Sequence, residues 1–205
     1  MRKKLSRKFY NRTSLEVAPD LLGKFLVHMV NGIELVGKIV ETEAYMGPLD
    51  KAAHSYNNRR TKRTEVMFGP PGYAYVYLIY GMYSCMNIVA NKEGKPQAVL
   101  IRALEPVSNI EKMALLRYQK GLQACSSKEV TNLTNGPGKL CKAFDITKLD
   151  NGTDLLEDNL FLLDSSEKQE FEVVSTTRVG IDYAEEAISY PWRFYIKGNR
   201  FVSRK

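Results

Sequence analysis

Two glutamates stand two positions apart at the end of an apolar, strand-like run. Side chains alternate between the faces of a regular β-strand, so Glu41, Glu43 and Tyr45 would share one face, with the two carboxylates about 7 Å apart. A positioned carboxylate can take a proton from water, which is the role of a general base in hydrolysis. The spacing does not choose between the two glutamates, and a solvated pair at a strand end is the structural alternative.

One of the two histidines of the chain follows soon after, in the run Ala52, Ala53, His54, Ser55. His54 could donate a hydrogen bond or stack in a pocket, although a lone histidine is more often structural. No second histidine or cysteine lies at ligand spacing, so we expect no metal site. Neighbouring His54 and Ser55 cannot easily adopt the geometry of a hydrolase triad, and no nucleophile elbow surrounds them.

Residues 73–83 contain five of the twelve tyrosines of the chain. Strand alternation places Tyr73, Tyr75 and Tyr77 on one face. Gly81 supplies a flexible point at which the chain can turn, and the turn would project the neighbouring side chains outward: Tyr80, Met82 and Tyr83. Such a ladder of rings with a protruding tip suits a planar, stackable ligand. A tyrosine-rich core strand is the alternative, because aromatic residues are favoured in strands.

The connection between the carboxylates and the tyrosine run is basic, with four cations in five positions: Arg59, Arg60, Lys62 and Arg63. A solvated loop is the ordinary explanation of such a run. Its place between two candidate site segments equally suits contacts to the phosphates of a nucleic acid, which set the register of a protein on the backbone.

Residues 134–140 form a second candidate for anion binding, a glycine-rich turn that carries Lys139 and precedes a short helix. Backbone N–H groups and a lysine can hold an anion there. The segment is not a nucleotide-binding P-loop, because Leu133 replaces the first glycine and Leu140 the serine or threonine. A phosphodiester is the more natural ligand.

Composition sets the class of protein. At 205 residues and 44% hydrophobic, the chain can bury one substantial core. The net charge of +7 favours an anionic partner, nucleic acid before membrane. No apolar run approaches the roughly 20 residues of a membrane-spanning helix and no signal segment is visible, so we expect a soluble intracellular protein. The odd number of cysteines, three, argues against a disulfide framework.

Short strands dominate the pattern, which predicts an α+β fold. Asn31 and Gly32 between two β-prone runs predict a hairpin, and Thr13 or Ser14 caps a short helix. Ser108 and Glu111 predict a capping box that opens a later helix closed by Gly121. Further strands are expected over residues 97–103, 161–163, 171–174, 178–181, 194–196 and 201–203.

Four groups of residues, in order, resemble the signatures of the alkyladenine (3-methyladenine) DNA glycosylase family. The likeness runs from about residue 15 to residue 203. The matching segments are residues 41–48 with 50 and 52–55, residues 75–83 with 85–87, residues 100–106, and residues 135–140 with 192–195. The family fold implies a single mixed domain with a curved, mainly antiparallel sheet, surrounding helices and a protruding β-hairpin, here over residues 12–205. The basic arm before it, residues 1–11, matches no part of the family pattern.

The resemblance also implies a role for each matching residue. Glu43, rather than Glu41, would be the general base, and Tyr80 would enter the gap left by a flipped nucleotide, with Met82 and Tyr83 beside it. Tyr73 and Tyr75 are left with a structural role. The base pocket would be built from Tyr45, His54, Tyr77, Asn87 and Leu100, with Arg102 holding the nucleotide and Arg59, Arg60, Lys62, Arg63 and Lys139 on the DNA backbone.

The function implied is DNA repair on duplex DNA that contains damaged purines: 3-methyladenine, 7-methylguanine, hypoxanthine or ethenoadenine. The enzyme would flip the purine out and hydrolyse its N-glycosidic bond with a Glu-activated water, leaving an abasic site. No cofactor and no lyase step are expected, and the protein would act as a cytoplasmic monomer, nucleoid-associated in a bacterium. Two alternatives use the same surface: a noncatalytic nucleic-acid-binding module, and an RNA-directed hydrolase, which would have to read the 2′-hydroxyl.

Overall fold

One antiparallel sheet organises the computed structural model, which describes residues 3–165 and 170–204. In that part of the chain the sheet has eight strands, in the order β3-β4-β5-β2-β1-β6, with β8 on β2 and β7 on β8. The strands are β1 Phe25–Val30, β2 Ile33–Tyr45, β3 Ala74–Ile79, β4 Tyr83–Ala90, β5 Gln97–Ser108, β6 Leu160–Leu163, β7 Val173–Thr176 and β8 Arg193–Ile196. The sheet is curled into a half-barrel, which confirms the predicted fold class.

The long strand β2 carries both candidate carboxylates into the middle of this sheet. Its first half pairs with β1, and residues 41–43 pair with β8 on that same side, while β5 runs along the other side. The β2–β5 register shifts on both sides of Glu41, so the ladder is irregular there. Bulges of this kind re-aim side chains and are common next to active sites. The carboxylates are therefore flanked by strands on both sides.

Two hairpins turn on a pair of residues with positive φ, within a two-residue connection between β1 and β2 and a three-residue connection, residues 80–82, between β3 and β4. Asn31 and Gly32 have φ of 52° and 76° between β1 and β2, as the Asn-Gly pair predicts. Tyr80 and Gly81 have φ of 52° and 72° between β3 and β4. Positive φ at both central positions defines the turn type that matches strand twist. Tyr80 therefore occupies a left-handed conformation that is uncommon for a bulky residue, and it forms the tip of the hairpin.

Five α-helices of the described chain surround the sheet: α1 Arg7–Tyr10, α2 Ser14–Asp20, α3 Ile110–Tyr118, α4 Ser127–Thr131 and α5 Pro137–Ala143. Thr13 and Glu16 form a capping box at the start of α2, which confirms that helix start. The main core lies between sheet and helices and includes Ile39, Ile101 and Phe144. No helix of the described residues is long and apolar enough to cross a membrane.

The described part of the N-terminal arm is packed onto the domain. Leu5 and Tyr10 are buried in the main core. Lys4 pairs with Asp158, and Arg7 binds Asp154 at 2.6 Å. These carboxylates neutralise two of the cations that made the arm basic.

The structure contradicts several local predictions. Gly121 does not close α3, which ends at Tyr118 with Gln119 as its C-cap in the left-handed region. Ser108 ends β5 instead of capping α3, whose N-cap is Asn109 in the left-handed region, and Glu111 accepts a hydrogen bond from the Leu122 N–H at 2.8 Å. Residues 178–181 and 201–203 are not strands. In the first of these segments, Arg178 turns inward to a buried ion pair, so the chain leaves the sheet there.

Candidate active site

Four neighbouring strands place one site residue each in a single row. Tyr75 on β3 lies opposite Asn87 on β4, Asn87 opposite Leu100 on β5, and Leu100 opposite Glu43 on β2. Residues directly opposite one another in an antiparallel sheet project from the same face. The register thus brings these side chains, which are distant in sequence, into a line that ends at Glu43.

A cavity of about 590 Å³ opens above this row. That volume lies within the range of ordinary small-molecule pockets. The five residues expected in the base pocket all line it: Tyr45, His54, Tyr77, Asn87 and Leu100. Arg102, Tyr75, Met67 and the segment from Val179 to Tyr183 complete much of the wall.

The Glu43 carboxylate is fully buried directly beneath the cavity lining. Oε1 accepts the Val179 N–H at 2.7 Å and lies 3.3 Å from Arg102 Nη1, while Oε2 accepts the Tyr45 hydroxyl at 2.9 Å. These two hydrogen-bond donors and the arginine of the ion pair all belong to residues that line the cavity. A carboxylate has about four accepting positions, so the described residues leave one for a further donor such as water.

Glu41 is held very differently. Its oxygens accept Arg102 Nε at 3.0 Å, Arg193 Nη1 at 2.9 Å, and both the N–H and the hydroxyl of Ser203 at 2.6 and 2.9 Å. Three of these donors reach Oε1 and one reaches Oε2, and neither Arg193 nor Ser203 lines the cavity. Glu41 therefore ties the C-terminal segment and two arginines to β2, whereas the groups around Glu43 all belong to residues of the cavity wall.

Arg102 lies between the two carboxylates. The irregular register of β2 and β5 puts it within reach of both, and its side chain is almost completely buried. Burial lowers its pKa, but the charges of Glu43 and Glu41 outweigh burial and raise the pKa. The guanidinium is thus a fixed positive charge in the cavity wall and does not lie on the outer surface with the other cations expected on the DNA backbone.

The aromatic wall of the cavity consists of His54, Tyr75 and Tyr77. The His54 and Tyr77 rings are 4.6 Å apart at 75°, and His54 Nδ1 lies 2.9 Å from the Tyr75 hydroxyl. Burial, assisted by Arg63 and Arg59, lowers the pKa of His54 to about 4, so the imidazole is neutral near pH 7. Tyr75, expected to have only a structural role, lines the cavity itself and holds the His54 ring through this contact.

The hairpin tip presents large apolar side chains to solvent. Tyr80, Met82 and Tyr83 are 83%, 68% and 50% exposed. Tyr80 also lines the mouth of the cavity. A Cβ on Gly138 of α5 would lie 3.2 Å from the Tyr83 Cβ, so this glycine lets the helix approach the base of the hairpin closely. Exposed apolar groups clustered beside a cavity mark an interaction site.

The cations expected to contact the DNA backbone differ in how far other side chains of the protein already engage them. Arg60 is held by Glu65 at 2.5 and 2.9 Å, and Arg63 stacks 4.8 Å from the Tyr77 ring centre at the cavity. Lys139 donates to the side-chain oxygens of Asn132 and Asn135 at 3.1 and 2.8 Å. Arg59 and Lys62 are exposed and form no ion pair with a described residue.

Comparison with known proteins decides the family. The model of the methylpurine-DNA glycosylase family matches residues 8–200. The chain belongs to this family. It is 60% identical to a protein of Alkaliphilus oremlandii over 98% of this chain and all of that one, and 55% identical to a protein of Clostridium novyi over 99% of this chain and all of that one. A protein of Bacillus cereus is 56% identical, over 96% of this chain and 97% of its own. All three carry the name "Putative 3-methyladenine DNA glycosylase".

Family membership gives the protein the function of a DNA glycosylase, a hydrolase of DNA repair whose substrate is DNA. Sequence reasoning missed one part of this glycosylase site, the segment from Arg178 to Tyr183. No spacing pattern signals that the Val179 N–H reaches Glu43 across the fold. Within the described residues, no three His, Cys, Asp or Glu side chains cluster as metal ligands.

Proposed function

We propose that the protein flips a damaged purine out of duplex DNA into the 590 Å³ cavity and hydrolyses its N-glycosidic bond with a water activated by Glu43. One observation carries the proposal. Glu43 retains an accepting position immediately below a cavity walled by His54 and Tyr77, and exposed Tyr80 stands at the mouth of that cavity.

Flipping has to be compensated energetically. Extruding a nucleotide costs a few kcal/mol, less for a damaged base, because stacking and pairing are lost. Stacking against Tyr77 and His54 inside the cavity and insertion of Tyr80 into the vacated gap offset that cost. Asn87, held at 3.2 Å from the Tyr75 carbonyl, crowds the pocket floor against the exocyclic amine of guanine.

The chemical step uses one carboxylate. The bond between C1′ and the base breaks as water attacks C1′, the proton of that water passes to Glu43, and the purine leaves with the bonding electrons. Positive charge develops on the sugar in such reactions, and a nearby carboxylate stabilises it. A cationic purine such as 3-methyladenine leaves without protonation. A neutral purine such as hypoxanthine leaves as its anion and takes a proton from solvent, because His54 is neutral near pH 7 and is not an imidazolium acid.

The product is an abasic site, and the enzyme is monofunctional. A lyase would need a free amine at C1′, whereas the Lys139 ammonium is engaged by two asparagine oxygens. The proposed substrates are 3-methyladenine, 7-methylguanine, hypoxanthine and ethenoadenine in duplex DNA, bound by a monomer that acts in the cytoplasm, at the nucleoid in a bacterium. Arg59, Lys62 and Arg63 are the proposed backbone contacts, since all three are exposed and Arg63 lines the cavity.

The decisive experiment replaces Glu43 by Gln. Base release from duplexes carrying each of the four lesions should fall by about 10²–10⁴, the usual contribution of a general base, with lesion binding largely retained. Exposed Glu93→Gln is the matched control and should keep full activity. Full release by Glu43→Gln contradicts the mechanism, and binding without release by the wild-type protein would favour a noncatalytic module.

A further inference from the structure

Another cavity, of about 470 Å³, lies beside the first on the edge strand β3. Three residues of the strand, Val76, Tyr77 and Leu78, line it. The remaining lining comes from two loops and is polar or charged: Lys62, Arg63, Lys148 and Asn151. We call this feature the edge cleft.

The edge cleft has an excess of unneutralised positive charge. Lys62, Arg63 and Lys148 form no ion pair with any carboxylate of the described chain, and all three side chains are exposed. Three converging cations around an otherwise apolar strand edge favour an anionic ligand.

The loop that brings Lys148 to the cleft is firmly attached to β3. The Val76 N–H donates to Asn151 Oδ1 at 3.0 Å, the Gly152 N–H to the Ala74 carbonyl at 2.8 Å, and the Ala74 N–H to the Thr153 carbonyl at 2.8 Å. Lys148 opens a 3-10 turn, Lys148–Asp150, capped by Thr147. The position of the loop relative to the strand is thus set by these hydrogen bonds in the free protein, which reduces the ordering cost of binding.

The edge cleft and the base cavity share a wall. Arg63 and Tyr77 line both of them. Leu78 lines the edge cleft, and the next two residues of the chain, Ile79 and Tyr80, line the base cavity. A DNA strand that places one nucleotide in the base cavity therefore brings its neighbouring phosphates past the edge cleft. Each strand of DNA carries one negative charge about every 3.4 Å.

We propose that the edge cleft binds the phosphodiester backbone of the DNA strand next to the flipped nucleotide, with Lys148 as a phosphate contact. The ligand is duplex DNA, so the inference rests on the proposed function. Lys148 is far in sequence from the basic connection of residues 59–63, and the fold brings the two together.

The first test measures duplex affinity against salt concentration for Lys148→Gln. Removing one phosphate contact should weaken binding about fivefold at low salt and lower the slope of log K against log salt by about 1, on damaged and undamaged duplexes alike. The control is Lys92→Gln, since Lys92 is exposed, unpaired within the described chain and follows the end of β4 opposite the hairpin. Equal slopes for the two variants overturn the proposal.

A second test locates the contact. Single phosphates around the lesion are replaced by neutral methylphosphonates, and binding is measured in the Glu43→Gln background so that no base is released. At the contacted position the replacement should weaken binding about fivefold with Lys148 present and have little effect in Lys148→Gln, a non-additivity expected only for groups in contact. If the losses from the phosphate replacement and from Lys148→Gln are additive at every position, Lys148 contacts none of these phosphates, and the proposal is wrong. Base release is assayed separately with the wild-type protein. A protein that shows this non-additivity but releases no damaged purine would refute the proposed function and still support phosphate binding by the edge cleft.

Discussion

Arg178 and Asp50 form a fully buried, bidentate ion pair, with nitrogen–oxygen distances of 2.6 and 2.8 Å. The guanidinium also donates to the Ala44 carbonyl at 2.9 Å and lies 4.8 Å from the centre of the Tyr45 ring. The next residue, Val179, gives its N–H to Glu43. The ion pair therefore fixes both hydrogen-bond donors of Glu43. It holds the Val179 N–H because Val179 follows Arg178 in the chain, and it holds the Tyr45 hydroxyl because the guanidinium packs against the Tyr45 ring.

Breaking this pair should destabilise the protein strongly. Asp50→Asn leaves a buried guanidinium without its counter-charge, which typically costs about 3–5 kcal/mol of unfolding free energy. Urea denaturation followed by circular dichroism measures the loss. Lys51→Gln is the control, because it breaks exposed pairs with Glu185 and Glu186 and should change stability far less. Similar losses in the two variants would show that the buried pair does not hold the fold together.

The local features of the fold were accessible from the sequence because local chemistry determines them. The Asn31-Gly32 turn follows from backbone preference, and the shared face of Glu43 and Tyr45, whose side chains are hydrogen-bonded, follows from strand alternation. The bond between Asp50 and Arg178 joins residues 128 positions apart, and no periodicity encodes such a pairing. The local pattern of residues 178–181 predicts a strand because it carries no sign of this long-range ion pair, which draws Arg178 out of the sheet.

The choice between the two glutamates illustrates the same limit. Glu41 and Glu43 are the same residue type at the end of the same strand, so the local sequence does not indicate which of them acts as the general base. What separates them is the supply of donors: Arg193 and Ser203 arrive at Glu41 only because β8 and the C-terminal segment fold against β2. A distinction made by long-range packing is visible in the structure and not in the local sequence.

Replacing Tyr80 by Ala should weaken binding to a lesion-containing duplex more than binding to an undamaged one. Aromatic stacking on a base contributes about 1–3 kcal/mol, so a loss of about tenfold is expected on the lesion duplex. Fluorescence anisotropy with both duplexes gives the ratio. The control is Leu115→Ala, another exposed apolar side chain but on α3, away from the hairpin. Equal losses on the two duplexes count against insertion of Tyr80 into the base stack.

The low pKa of His54 makes stability depend on pH in a defined interval. The pKa is about 4 in the folded protein, mainly because of burial, against an ordinary value of 6.5. As pH falls from about 6.5 to about 4, His54 takes up a proton in the unfolded chain before it does so in the folded protein. The free energy of unfolding is therefore highest above pH 6.5 and decreases on acidification, by at most about 3 kcal/mol. His54→Gln, which keeps a hydrogen-bonding group near Tyr75, should flatten that part of the curve of unfolding free energy against pH. The carboxylates titrate in both proteins, so the difference between the two curves isolates His54, and parallel curves over this interval would exclude a depressed pKa.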